Sequence, residues 1–337
     1  MIEKTLSVLI ENRIKKFGGK LLMQRRDGWS WKQITWLDFE RDVKNIACYI
    51  MDSGFRPGDA VIVISPNRLE SIYTEFAVNI IGGVFIPLGI GEEINLIPKI
   101  AKEFKVKFIF VENEDVLKSV KSISGELADL KSTVVFSSDG GIDERGIQFR
   151  TLIKFGLIKR KQLDDDLRRL CSSVQPDNVA SVFYSFYSSG SYMRRVFTHE
   201  GLIETLKNGS QKLSSLGGED QSYSYLSSVN PFEIFVNYLV IYMGFRMAIA
   251  ESRREFFEDV LEIKPTVIFE TQRGLEEIYS KITAVHGMPT VGKSLRIDLG
   301  NRLRYIVTDS VSGAGIKSLF QRSGVSIIEV SELNNAL

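Results

Sequence analysis

The sequence predicts an α/β fold of two αβ subdomains, each built on a mainly parallel sheet flanked by helices. Three observations carry this reading. Short, almost wholly apolar runs recur along the chain between turn residues, as strands covered on both faces require. Amphipathic stretches with helical spacing lie between those runs, so the order reads as repeated β-α-β units. The chain has 337 residues, 44% of them hydrophobic, which suffices for a large core, and no short-period repeat points to a solenoid.

Taken in order, Leu6, Leu9, Ile10 and Ile14 recur at helical spacing until Gly18 and Gly19 stop the helix. Residues 28–35 (GWSWKQIT) read as a two-strand ribbon, and Thr35 as the N-cap of a helix whose inner face is Phe39, Val43, Ile46 and Ile50, ended by Gly54. A strand at 60–64, a helix over 67–83 and a strand at 84–88 follow. Next come a helix from Leu96 to Phe104, a strand at 106–112, a helix near Val116 and a strand at 133–137. The charged run at 159–170 has mixed signs at helical spacing and reads as a solvated helix linking two halves. The subdomains are accordingly placed at 1–172 and 173–337. In the second half, strands are expected at 179–185, 222–226, 246–250, 266–270, 303–307 and 325–329, with helices opening near Thr198, Pro231, Arg253, Arg273 and Gly315.

Lys and Arg number 43 against 42 Asp and Glu, a net charge of +1, which supplies no basic field for nucleic acid and no acidic tail. Cys48 and Cys171 stand far apart, and with His199 and His286 they show no metal-ligand spacing, so both thiols read as small core residues in a reducing compartment. The N-terminus reads as an amphipathic helix rather than a signal peptide, and no apolar run is long enough to span a bilayer. The expectation is a cytoplasmic protein.

Chemistry is expected at residues 184–199 (YSFYSSGSYMRRVFTH), a Ser/Gly-rich turn between an apolar strand and a helix opening at Thr198. Such a turn gathers backbone N–H groups and hydroxyls at one point, the geometry that cradles phosphate; a polar surface loop is the plain alternative. Ser188 and Ser189 have no His/Asp partner spacing that would make either a nucleophile. His199 invites a general-base reading, but beside Thr198 it reads as a residue of the helix cap. Gly287, Gly292, Lys293 and Ser294 satisfy the Walker A spacing, which in true examples follows an apolar strand; residues 276–286 instead show helical spacing.

The 184–199 stretch resembles the phosphate loop of the adenylate-forming acyl-CoA synthetases, matching or nearly matching at Tyr184, Ser185, Ser188, Ser189, Gly190, Thr198 and His199. Leu226, Phe232, Glu233, Gly244, Ala250, Glu251, Ser252, Lys264, Pro265, Thr266, Arg273, Glu277 and Tyr279 also fall on that family's pattern, with the Ala-Glu-Ser run closest to its long-chain branch. The resemblance implies a layered αβαβα domain using ATP and Mg²⁺. It assigns nucleotide binding to Ser185, Ser188, Ser189, Gly190, Arg194 and Thr198. The adenine and acyl pocket falls to Asn230, Phe232, Thr308, Asp309, Ser310 and Ser331, and a weak metal contact to Asn335.

Departures from the family pattern gather at the reaction centre. Phe186 and Tyr187 replace Ser-Gly, Tyr192 replaces Pro, and Met193 stands for the lysine that meets the ATP phosphates, with Arg194 and Arg195 adjacent. Asn230 replaces His, Gln272 replaces Pro, and residues 331–335 lack the adenine-stacking aromatic and the magnesium Glu. By this resemblance the chain also lacks the family's β-barrel and lysine-bearing C-terminal domain. The expectation is therefore a degenerate relative, non-catalytic, that retains acyl or nucleotide binding or acts as an interaction module. The alternative is an active fatty acid ligase completed by another chain. A second copy or a protein partner is expected over the strand at 325–330.

Overall fold

The computed structural model describes residues 3–137, 146–186, 191–225, 231–250, 255–286, 291–311 and 314–330. Helix α1 (Leu6–Phe17) opens where Thr5 Oγ1 accepts the Val8 N–H at 3.3 Å, and ends at Gly18, whose φ of 46° lets its N–H turn back to the Ile14 carbonyl. Strands β1 (Leu21–Asp27) and β2 (Ser30–Thr35) pair antiparallel. The ribbon expected at 28–35 is thus the turn and second strand of a hairpin that begins earlier. Helix α2 (Trp36–Asp52) follows Thr35 directly and buries Phe39, Val43, Ile46 and Ile50, as their spacing requires.

The alternation then runs through β3 (Ala60–Ile64), α3 (Leu69–Ile80), β4 (Val84–Leu88), α4 (Ile97–Glu103), β5 (Val106–Val111), α5 (Glu114–Ile123), β6 (Ser132–Val135) and β7 (Gly146–Gln148). It continues with α6 (Phe149–Ser173), β8 (Val179–Phe186), β9 (Tyr192–Thr198) and α7 (His199–Lys212). The later elements are β10 (Gln221–Ser224), α8 (Pro231–Met243), β11 (Arg246–Ile249), α9 (Phe256–Ile263), β12 (Val267–Glu270), α10 (Gln272–His286) and α11 (Val291–Asp298). Strand β13 (Tyr305–Thr308), α12 (Ala314–Arg322) and β14 (Ser326–Glu329) complete the described chain.

These elements form two compact units, residues 1–19 with 36–204 and residues 20–35 with 205–337. The 172/173 division read from the sequence falls at the end of α6, inside the first unit. In that unit seven strands lie in the order β7-β6-β5-β3-β4-β8-β9, parallel except for the β8–β9 hairpin. Strand β8, expected to open the second half, joins this sheet because Ser181 pairs with Phe85 of β4. Helices α4 and α5 cover one face through Ile97, Ile100, Val116, Leu117 and Val120. On the other face, α2 and α6 meet the sheet through Tyr49 against Phe108 and Phe149 against Phe110. In the second unit the order is β14-β13-β12-β10-β11-β1-β2, again parallel except for its hairpin.

Helix α6 is therefore a packed member of the first unit rather than a linker. It lies against α2 at Gly156, where a Cβ would stand 1.9 Å from the Asn45 carbonyl oxygen. Hydrogen is the only side chain that fits. Gly156→Ala is expected to force the helices apart and destabilise the protein by about 2–3 kcal/mol. Gly125→Ala, with nothing within 4 Å of the added methyl, should stay within about 0.5 kcal/mol. Urea midpoints for the two variants test this, and equal midpoints would refute the close approach.

Candidate functional site

The described residues of the stretch expected to cradle phosphate lie mainly on two antiparallel strands of the first unit. Strand β8 continues to Phe186 and β9 returns antiparallel, pairing Tyr184 with Arg194, Ser185 with Met193 and Phe186 with Tyr192. Helix α7 opens at His199, where Thr198 Oγ1 accepts the Gly201 N–H at 3.1 Å. The sequence reading missed β9 because residues 192–198 (YMRRVFT) show no period-two alternation, the adjacent pair Arg194-Arg195 interrupting the apolar residues.

Alternation on β9 puts Arg194 and Arg195 on opposite faces. Arg194 is directed to the Glu103 carboxylate at the end of α4, with which it forms an ion pair. The same face carries Tyr184 and Tyr192, their ring centroids 5.6 Å apart, with Lys99 Nζ 5.0 Å from the Tyr192 ring. Burial pushes the Tyr184 phenol up to about 12, so it is neutral at physiological pH. The other face holds Phe183 against Phe197 at 5.3 Å, with Ser185 and Met193 directly opposed. Ser188, Ser189 and Gly190 lie outside the described residues, as do Asn230, Ser331 and Asn335.

In the second unit, Phe232 is buried on α8 with its ring 6.3 Å from Phe269 of β12. Phe235, Tyr238 and Leu239 are buried beside it in sequence, so the helix is a core element. Thr308 ends β13, and Asp309 and Ser310 after it are bound to Gln272 at the start of α10. Asp309 Oδ1 accepts the Gln272 and Ser310 backbone N–H groups, both at 2.8 Å, and the Thr308 hydroxyl at 3.2 Å. Ser310 Oγ donates to Gln272 Oε1 at 2.7 Å.

A second carboxylate lies at the same helix end, and sequence reasoning did not single it out. Glu270 is buried at the end of β12 and accepts the Thr271 N–H at 2.8 Å and the Tyr225 hydroxyl. Thr271 Oγ1 in turn accepts the Gly274 N–H at 3.2 Å. Gly274 leaves room for the carboxylate, since a Cβ there would come within 2.0 Å of it. Glu233, matched by the resemblance but given no role, is buried and accepts from Ser224 Oγ. The available signal was a carboxylate closing an otherwise apolar strand. Both Glu270 and Asp309 thus face the positive end of α10, where negative charge is stabilised.

The remaining motifs fall away from chemistry. Among the described residues, no three His, Cys, Asp or Glu side chains converge on a metal-binding geometry. The Walker-like spacing is preceded by helix α10, and its last residues open α11; the strand that such a loop needs is absent there. His199 is fully buried, its Nδ1 accepting the Leu6 N–H at 3.3 Å, so its proton resides on Nε2, which has no partner among the described residues. It pins the start of α1 to the start of α7.

Two seven-stranded, mainly parallel sheets flanked by helices define the class: the N-terminal domain architecture of adenylate-forming enzymes. Residues 10–326 match the AMP-binding enzyme family, and the chain belongs to it. A protein described as a long-chain-fatty-acid CoA ligase of Rhodopseudomonas palustris superposes with a TM-score of 0.73 at 15% identity, covering 96% of this chain and 74% of that one. The carboxylate reductase adenylation domain of Mycobacterium chelonae gives 0.75 at 16%, covering 96% and 57%. In sequence, the probable CoA ligase CCL5 of Humulus lupulus is 21% identical over 210 residues, 62% of this chain and 36% of that protein. The chain therefore aligns with little more than a third of that relative's length.

Burial holds the His199 imidazole down to about 4, against an ordinary value near 6.5. The unfolded chain takes up this proton near pH 6.5, whereas the folded chain resists until about pH 4. The contribution to stability is whole above pH 6.5 and is lost as pH falls toward 4, by about 3 kcal/mol. Proton NMR of the His286→Gln variant isolates the His199 titration; a midpoint near 6.5 would refute the buried, neutral assignment.

Proposed function

We propose that this chain is a catalytically silent member of the AMP-binding enzyme family, whose scaffold serves acyl or nucleotide binding or protein interaction in place of adenylate formation. The observation that carries the reading is the closure of the α10 N-terminus and its neighbouring turn by the protein's own groups. Asp309 and Ser310, which the resemblance assigns to adenine recognition, are spent on Gln272. The buried Glu270 carboxyl fills the same helix end, where Gly274 leaves it room.

The first unit supports the same conclusion. Adenylate formation depends on placing positive charge against developing negative charge, and losing one such donor typically costs about 10²–10³ in rate. Met193 carries no charge where the family has lysine, and Arg194 is held by Glu103. These donors do not fit an ATP·Mg²⁺ complex, so no activation step is assigned to them.

Carboxylate-dependent exchange of pyrophosphate into ATP tests the proposal. With fatty acids of several lengths, the purified chain is expected to show no exchange above the acid-free blank. Calorimetry with a non-hydrolysable acyl-adenylate mimic then separates ligand binding from a purely protein-directed role. Exchange that disappears in the R194Q/R195Q variant would overturn the proposal in favour of an active fatty acid ligase.

A further inference from the structure

We propose that the outward face of the first half of α6 docks on an anionic lipid surface. The proposal goes beyond the catalytic question, because it concerns a surface of the first unit unrelated to the residues discussed above. Gly156 turns one side of α6 toward α2. On the opposite side, Arg150, Lys154, Leu157, Ile158 and Lys161 follow at i, i+4, i+7, i+8 and i+11, one helical face, with Phe155 at its margin.

Three large apolar side chains are left in solvent there: Phe155 is 48% exposed, Leu157 49% and Ile158 59%. Among the described residues, Arg150, Lys154 and Lys161 have no ion-pair partner, although neighbouring cations do: Lys159 reaches Asp52 of α2 at 2.9 Å and Arg160 reaches Asp164. No acidic residue occurs from 149 to 163.

The contrast with the second half of the same helix is sharp. There Arg168 and Arg169 are matched by Asp164, Asp165 and Asp166 at helical spacing, which leaves a charge-neutral solvated face. The first half combines exposed apolar groups with unpaired cations on a convex surface about 16 Å long. An interfacial helix has this composition: the apolar groups enter the acyl boundary while flanking Lys and Arg meet anionic headgroups. A fluid surface accepts a convex face without needing a shaped partner, and its negative charge complements the three free cations.

Co-sedimentation with vesicles of phosphatidylcholine alone and of equimolar phosphatidylcholine and phosphatidylglycerol tests this. The protein is expected to bind the anionic vesicles only, and to be released at about 0.5 M NaCl. R150Q/K154Q/K161Q should weaken binding on the order of a hundredfold, from roughly fivefold per charge. F155S/I158S should weaken it while leaving the electrostatic salt dependence. All these side chains are exposed, so both variants should keep the parent circular dichroism spectrum and melting temperature. Absence of binding, equal binding to neutral vesicles, or unchanged binding by the triple variant would overturn the proposal. So would retention on a polyglutamate resin without vesicle binding, which would indicate an acidic protein partner.

Discussion

A parallel sheet must be covered on both faces, and the rest of this molecule follows from that constraint. The central strands β3 and β4 are buried at every position and leave no room for a polar side chain along their length. In the second unit, by contrast, the central strand β10 carries buried polar residues along its length, and further polar groups gather at the strand ends. At the N-terminal strand ends, Asp220, just before β10, accepts from Thr266 Oγ1 at 2.6 Å, Arg304 at 2.5 Å and the Gly217 N–H at 2.9 Å. Burial opposes its charge, yet bonds from Thr266 and Arg304 hold its carboxyl below the usual range. At the opposite strand ends, Glu270 and Asp309 gather around the start of α10.

The same logic explains why the β1–β2 hairpin joins the second unit, although helices α1 and α2 on either side of it in sequence belong to the first. Strand β1 extends the sheet in parallel with β11, and its side chains meet buried charge. Arg26 approaches Asp259 at 3.3 Å and Glu262 at 2.5 Å, Trp31 Nε1 donates to Glu262 at 2.9 Å, and the Tyr223 hydroxyl donates to Asp259 at 2.6 Å. Burial raises the Asp259 carboxyl despite these partners. Breaking such a cluster at one member leaves an uncompensated charge, which costs more than the assembled pair contributes.

Anion binding at a helix N-terminus requires unsatisfied N–H groups and an uncancelled dipole. At α10 the protein supplies its own acceptors: Asp309 to the Gln272 amide and Thr271 Oγ1 to the Gly274 amide, with the Glu270 carboxylate alongside. The geometry ties the helix to the ends of β12 and β13. It leaves those two amides satisfied by the protein's own oxygens.

The sequence by itself determined the layered α/β architecture, because apolar runs of five residues and helical periods of 3.6 are local properties of the chain. The departures from the family pattern read at Met193 and Gln272 likewise rest on the sequence alone. Tertiary structure decided the rest. Strand β8 belongs to the first sheet because β4 offers it an edge, and no local pattern in 179–186 records that partner. The glycine contact between α2 and α6 joins residues more than a hundred positions apart. The engagement of Arg194 by Glu103 and of Asp309 by Gln272 likewise depends on which surfaces meet. Periodicity is set by the backbone and survives in any context, whereas pairing and charge satisfaction are set by neighbours brought together only when the chain closes.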